Sequence, residues 1–206
     1  MATRLQSNRL ATLVYMTALL TTIPVLWRVV LPALDGSRWP KHVDHLLMIL
    51  VHAWGGLAML GCGAAALYVG WTRRKFRFHR MFGYTYLLLG GISAVAALGL
   101  SYNAAHEPKS LYVATATLSA TWLAFAAMAL RAALNRRFDS HRQWVIRSYV
   151  LTWTFVGCRL ATQVDFYPWL GPESVTAAVW INWIGPLILC EIALQWSAGA
   201  KARQSP

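Results

Sequence analysis

Two histidines with matched surroundings are the residues in this chain best placed to do chemistry. Arg74-Lys75-Phe76-Arg77-Phe78-His79-Arg80 runs into an apolar stretch at Phe82, and Arg136-Arg137-Phe138-Asp139-Ser140-His141-Arg142 runs into another at Trp144. Both copies read basic, basic, Phe, two variable residues, His, Arg, with an aromatic residue three positions after the histidine. Repetition of one supersecondary unit gives its copies equivalent places in the fold. Imidazole ligates metals and titrates near neutral pH, so the pair is a candidate to hold a haem iron or another metal, or to relay protons. Duplicated topology is the alternative, because two hairpins need two positive turns with interfacial aromatics. That account explains the arginines and aromatics but not the matched histidines.

Other polar groups lie within apolar stretches, where an ionisable side chain costs about 2.5–3.5 kcal/mol on insertion scales and asks for a partner or a role. His52, Arg159 and Asn182 each fall a similar number of residues below the outer end of their stretch, roughly 9–11 Å deep at the helical rise. With Gln163 and Asp165 a turn higher, they outline an outer pocket. Alternatively, Arg159 snorkels upward and His52 is a neutral hydrogen bonder between helices. An inner layer holds His79, His141, Arg147, Glu191, Tyr84, Tyr86 and Tyr149. Arg147 and Glu191 are expected to neutralise one another; the alternative is that Arg147, with Arg80 and Arg142, recognises an anionic headgroup, a propionate or a quinone oxygen.

The expected cofactor is therefore haem b or a quinone, held by His52, His79, His141, Arg147, Arg159 and Asn182, with His52, His79 and His141 as the metal-ligand candidates. His106 sits in a short outer loop and can fold in as a second ligand, or that loop is an ordinary turn closed by Pro108, while His42 and His45 precede a span and face water or the interface. Cys62, Cys158 and Cys190 fall in three separate stretches with no paired spacing, which supports neither a disulfide framework nor a zinc site. There is no serine, cysteine or paired-carboxylate constellation for hydrolytic or acyl chemistry, and no phosphate-cradling glycine loop. No enzyme class follows.

The elements that must position these residues are membrane helices. Of 206 residues, 57% are hydrophobic and only 13% charged, with 11 tryptophans and a mean hydropathy of +0.44, unlike the surface of a soluble domain. Six stretches are predicted to span, at roughly Leu10–Leu34, Leu46–Trp71, Phe82–Tyr102, Ser110–Leu130, Trp144–Asp165 and Val175–Trp196, each about 20 residues or longer and sufficient for a hydrocarbon core of about 30 Å. They leave no room for a soluble domain, so residues 1–206 read as one all-α transmembrane domain. The basic segment before the first stretch is not followed by a small-residue cleavage site, and that stretch reads as retained.

The net charge of +12 comes from loops rather than from a nucleic-acid-reading surface. Most of the basic residues flank the termini and the turns after the second and fourth stretches, and by the positive-inside rule this puts both termini in the cytoplasm with the turns against anionic headgroups. Hairpins at 46–102 and 110–165 are then parallel repeats, expected to pack as a central four-helix bundle flanked by spans at 10–34 and 175–196. Gly55, Gly56, Gly61, Gly63, Gly90 and Gly91 allow close helix approach or clearance beside a flat ring.

His52 with Gly56, His79-Arg80 followed by Gly83 and Tyr84, and His141-Arg142-x-Trp144-x-x-Arg147-Ser148-Tyr149 with Thr152 and Arg159 beyond resemble the bacterial membrane-protein family catalogued as domain of unknown function 2306. Tyr84 departs from the pattern, which has arginine after the glycine. The resemblance implies a polytopic inner-membrane protein with these histidines and Arg159 as signature positions, and no established reaction. The functional expectation is a redox-linked protein binding haem or quinone between its helices. A small transporter or lipid-binding protein is the alternative, as is an assembly subunit with a membrane partner or a second copy of itself.

Overall fold

A long apolar segment in lipid can satisfy its backbone polar groups internally only as a helix or a closed barrel. In the computed structural model, which describes residues 45–72, 76–104, 108–163 and 168–202 together with Ile23 and Trp27, there is no strand among the described residues. The helices are α1 (Leu46–Thr72), α2 (Phe76–Asn103), α3 (Lys109–Leu134), α4 (Phe138–Thr152), α5 (Thr154–Gln163) and α6 (Ser174–Ala202), with a 3₁₀ segment at Pro168–Glu173 before α6. The stretch Leu10–Leu34 apart from Ile23 and Trp27, together with His42, His106, Asp165 and the Gln163 side chain, lies outside the described residues.

Four segments are long and apolar enough to cross a membrane: α1, α2, α3 and Leu170–Trp196. Only 11% to 28% of each apolar window is buried, so most of this apolar surface faces outward. Leu88, Val95, Leu123, Leu189 and Ile192 are all exposed, as residues in contact with lipid tails would be.

The chain divides into two units, Met1–Leu100 and Ser101–Pro206. In the first, α1 buries Ala53, Gly56, Met59, Leu60, Gly63, Ala64 and Ala66, and α2 buries Tyr86, Gly90, Ser93 and Ala96. These mostly small residues recur every three or four positions, the spacing of one helix face, and small residues let membrane helices approach closely. Gly56, Gly63 and Gly90 thus serve packing, whereas a methyl group at Gly61 or Gly91 would meet nothing.

In the second unit, α3 buries Ala114, Ser119, Trp122, Ala126, Ala129 and Ala132. The α3–α4 turn is a Schellman motif. Arg137 N–H donates to the Ala132 carbonyl at 2.8 Å and Arg136 N–H to that of Ala133 at 3.0 Å, with Arg136 left-handed at φ 57°. Glycine usually holds that position, because an L side chain there costs about 1–2 kcal/mol. Arg136→Gly is therefore expected to stabilise the protein by about 1 kcal/mol, read as a higher midpoint of thermal denaturation in detergent.

The span expected at Trp144–Asp165 is carried by α4 of 15 residues and α5 of 10, interrupted by a local 3₁₀ step at Trp153, which itself stays right-handed helical at φ −65° and ψ −16°. There the backbone tightens to 3₁₀ bonding: Trp153 N–H donates to the Val150 carbonyl at 3.2 Å, and Val156 N–H to that of Trp153 at 3.0 Å. Hydroxyls around the break bond to main-chain carbonyls, Ser148 to Val145 and Thr152 to Ser148, each at 3.0 Å, and Ser/Thr back-bonding of this kind bends helices.

Candidate functional site

The matched histidines occupy equivalent positions. Each is the fourth residue of a helix that opens on phenylalanine, α2 at Phe76 and α4 at Phe138, and each reaches back across its turn to an alanine carbonyl on the preceding helix. His79 Nδ1 lies 2.9 Å from the Ala66 oxygen, and His141 Nδ1 lies 2.8 Å from that of Ala129. A carbonyl cannot donate, so both rings carry the proton on Nδ1. His52 follows the same rule. Its Nδ1 is 3.2 Å from both the carbonyl and the hydroxyl oxygen of Ser93, and that hydroxyl donates to the His52 carbonyl at 3.1 Å. The repeated phrase thus writes a staple at each hairpin mouth, with a side chain satisfying an adjacent helix.

The first unit keeps His52 and His79 far apart. His52 is level with Ser93 and His79 with Ala66, and Ala66 follows His52 by 14 residues along α1, about 21 Å. Gly70 faces His79, where an added Cβ would sit 3.0 Å from the imidazole, so this glycine makes room for the staple. Tyr86 is buried and Tyr84 exposed. Among the described residues, no group of three His, Cys, Asp or Glu side chains converges to hold a metal ion.

In the second unit the inner layer is a chain of contacts from α3 through α4 to α6. The Phe125 and Trp144 rings lie 5.3 Å apart, and the Arg147 guanidinium sits over Trp144 with Cζ 4.8 Å from the ring centroid. That guanidinium pairs bidentately with Glu191, Nε donating to Oε1 and Nη2 to Oε2 at 2.9 Å. Two parallel donors on one carboxylate are the strong form of this interaction, and α4 is thereby tied to α6. The expected ion pair is present, and the Arg147 fork is engaged by protein.

A second polar layer lies deeper, at the break. Trp122 Nε1 donates to Thr152 Oγ1 at 3.3 Å, the Thr154 hydroxyl donates to the Asn182 carbonyl at 3.4 Å, and Asn182 Nδ2 donates to the Ala178 carbonyl at 2.8 Å. Gly157 lies so close to Asn182 that an added Cβ would be 2.3 Å from Oδ1. Next to Asn182, halfway along the Leu170–Trp196 span, is Trp183. Its ring is buried at 7% exposure, and its Nε1–H has no acceptor among the described residues. A buried donor left unsatisfied costs about 1–3 kcal/mol.

The family model for a predicted membrane protein, domain of unknown function 2306, matches residues 49–194. The chain belongs to this family. No curated protein and no solved structure matches it.

The family stretch takes in His52, His79, His141, Arg147, Arg159, Asn182 and Glu191. His52 and His79 are in the first unit and the others in the second. Within α5, Arg159 follows Gly157 by two residues and so lies about 200° around the helix from the face that meets Asn182. Asn182 meets Thr154 and Gly157 of α5, which the sequence reading did not single out as site residues. A signal was there: three hydroxyl residues, Ser148, Thr152 and Thr154, fall within two turns of an apolar stretch, dense enough to mark a helix break.

Proposed function

We propose that this family member is a redox-linked membrane protein that holds a quinone head group at the mid-depth polar layer of its second unit, with Trp183 Nε1–H as a donor to a quinone oxygen. The observation that carries the reading is that buried indole N–H, beside Asn182 and level with the α4–α5 break, for which the described residues offer no acceptor. Small-molecule sites of this kind are apolar with a few placed polar groups. A bound quinone supplies a couple that takes up two electrons and two protons. The chain's part is to orient: Asn182 is fixed by its bond to Ala178, and Trp122 holds Thr152.

Within either unit taken alone, haem fits less well. Within the first unit His52 and His79 are about 21 Å apart along the hairpin, too far to share one iron, and the second unit has His141 as its one described histidine. What favours haem is the staple itself, because an Nδ1–H bonded to a carbonyl is the arrangement that orients Nε2 for a metal. The reading keeps six spans, two repeated hairpins in a four-helix bundle, and an inner-membrane location with cytoplasmic termini, all on the strength of loop charge and apolar periodicity.

The test is solvent extraction and an absorption spectrum of protein purified in mild detergent. Quinone is expected in the extract, with occupancy reduced at least tenfold in Trp183→Phe, which keeps the ring and removes the donor. A preparation that carries no quinone and takes up none when it is added would overturn the reading, as would full occupancy in Trp183→Phe. A Soret band lost in His141→Ala would move the assignment to haem.

One observation favours a transporter. Interrupted membrane helices often build midplane substrate sites, and the tightened α4–α5 junction bonds to α6, which contains Pro186. Uptake of a polar substrate into vesicles by quinone-free protein would select this reading.

A further inference from the structure

We infer that the α3–α4 turn is a docking site for an anionic phospholipid, its headgroup phosphate held by Arg136 and Arg137 and its glycerol and upper acyl region covering Leu134 and Phe138. Two kinds of surface meet here. Arg136 and Arg137 are exposed at the tip of the turn, and Arg131 and Arg142 are exposed about one helical turn to either side. Against these four arginines stands the single carboxylate of Asp139, so the tip is strongly cationic. Between the arginines, Leu134 is 69% and Phe138 68% exposed. Both stand nearer the end of the hairpin than Arg131 and Arg142, where water would meet them if nothing else did.

Cationic heads side by side with bare apolar groups fit an amphiphile. A free phosphate would satisfy the arginines and leave Leu134 and Phe138 wet, and an acidic protein would leave the same two side chains unexplained. A lipid whose phosphate meets Arg136 and Arg137 has its apolar portion one step further in, and the long stem of Arg131 can rise along the helix to the same phosphate level.

Two further features hold the site in shape. The Schellman hydrogen bonds from Arg136 and Arg137 to Ala133 and Ala132 fix the backbone of the two cations. The His141 bond to Ala129 closes the hairpin immediately behind them. The left-handed Arg136, φ 57°, is the more telling because glycine would be less strained there. Strained residues that persist cluster at sites of function, and here the strained residue is one of the two cations.

The experiment is native mass spectrometry of the full-length protein released from neutral detergent, titrated separately with phosphatidylglycerol and phosphatidylcholine, and with phosphatidylglycerol in the presence of excess inorganic phosphate. Wild type is expected to retain phosphatidylglycerol at least tenfold more tightly than phosphatidylcholine. The double variant Arg136→Gly/Arg137→Gln is expected to lose about 25-fold in phosphatidylglycerol affinity, at roughly fivefold per cation near a lipid surface. Arg136→Gly alone should bind the lipid more weakly while melting higher, which separates the loss of a contact from a loss of fold. Phe138→Ser should weaken both lipids. Equal retention of the two lipids by wild type, or an undiminished preference in the double variant, would overturn the proposal. Full competition by inorganic phosphate would overturn it too, by reducing the turn to an anion site. None of these readouts depends on quinone, so this inference and the proposed function stand or fall separately.

Discussion

Glu191→Leu is expected to destabilise the purified protein by about 3 kcal/mol, the usual cost of stranding one member of a buried ion pair. The Arg147 side chain is only 11% exposed, whereas that of Glu191 is 39% exposed, and the cost follows that asymmetry. Removing the carboxylate leaves a guanidinium enclosed by α4, Trp144 and α6 with its two strongest acceptors gone. The reverse change, Arg147→Met, leaves a carboxylate that is less enclosed by protein and, unlike a guanidinium, can become neutral by taking up a proton, and its cost is expected to be nearer 1 kcal/mol. In Arg147→Met/Glu191→Leu neither charge remains and packing replaces pairing, so most of the stability lost in Glu191→Leu should return. Thermal denaturation in detergent of the two single variants and the double variant checks the order. Equal losses in the two single variants would mean that the guanidinium is no more enclosed than the carboxylate.

Gly157→Ala is expected to cost about 2 kcal/mol, within the range for forcing extra volume into a packed contact. The new methyl carbon would lie 2.3 Å from Asn182 Oδ1, 2.9 Å from Cγ and 3.3 Å from Cβ, so rotating the amide end alone does not clear it. Asn182 must leave its bond to Ala178, or α5 must move off α6. Asn182→Ala in the Gly157→Ala background removes the obstruction and should recover a large part of the loss, a coupling that a double-mutant cycle in thermal denaturation measures. Stability unchanged by Gly157→Ala would show that α5 and α6 are not in close contact at this level.

Legibility differed from one part of the chain to another for identifiable reasons. The hairpins expected at 46–102 and 110–165 correspond to helices running from Leu46 to Asn103 and from Lys109 to Gln163, because apolar length and basic turns are local properties. The duplicated His-Arg phrase correctly marked equivalent positions, yet the sequence offered no way to see that each imidazole is directed onto the alanine carbonyl of the helix before it. That depends on how each hairpin closes. The Arg147–Glu191 pair was legible because two opposite charges inside apolar stretches must find one another or a ligand. Counting residues sets Asn182 and Arg159 at one depth, whereas which α5 residues meet Asn182, namely Thr154 and Gly157, follows from how the two helices pack.

The amino-acid sequence alone establishes a membrane-embedded, all-helical member of its family, with basic turns and a doubled histidine phrase. Those features follow from composition and from spacing along the chain, which no packing can alter. Tertiary structure decided what the histidines hold, that the fifth apolar stretch breaks at Trp153, and that a buried indole N–H beside Asn182 has no acceptor among the described residues. Each of these is set by which helix faces meet and at what height. The hydrogen bonds and close contacts that set them join residues up to 41 positions apart, as between His52 and Ser93, and local sequence carries no record of such pairings.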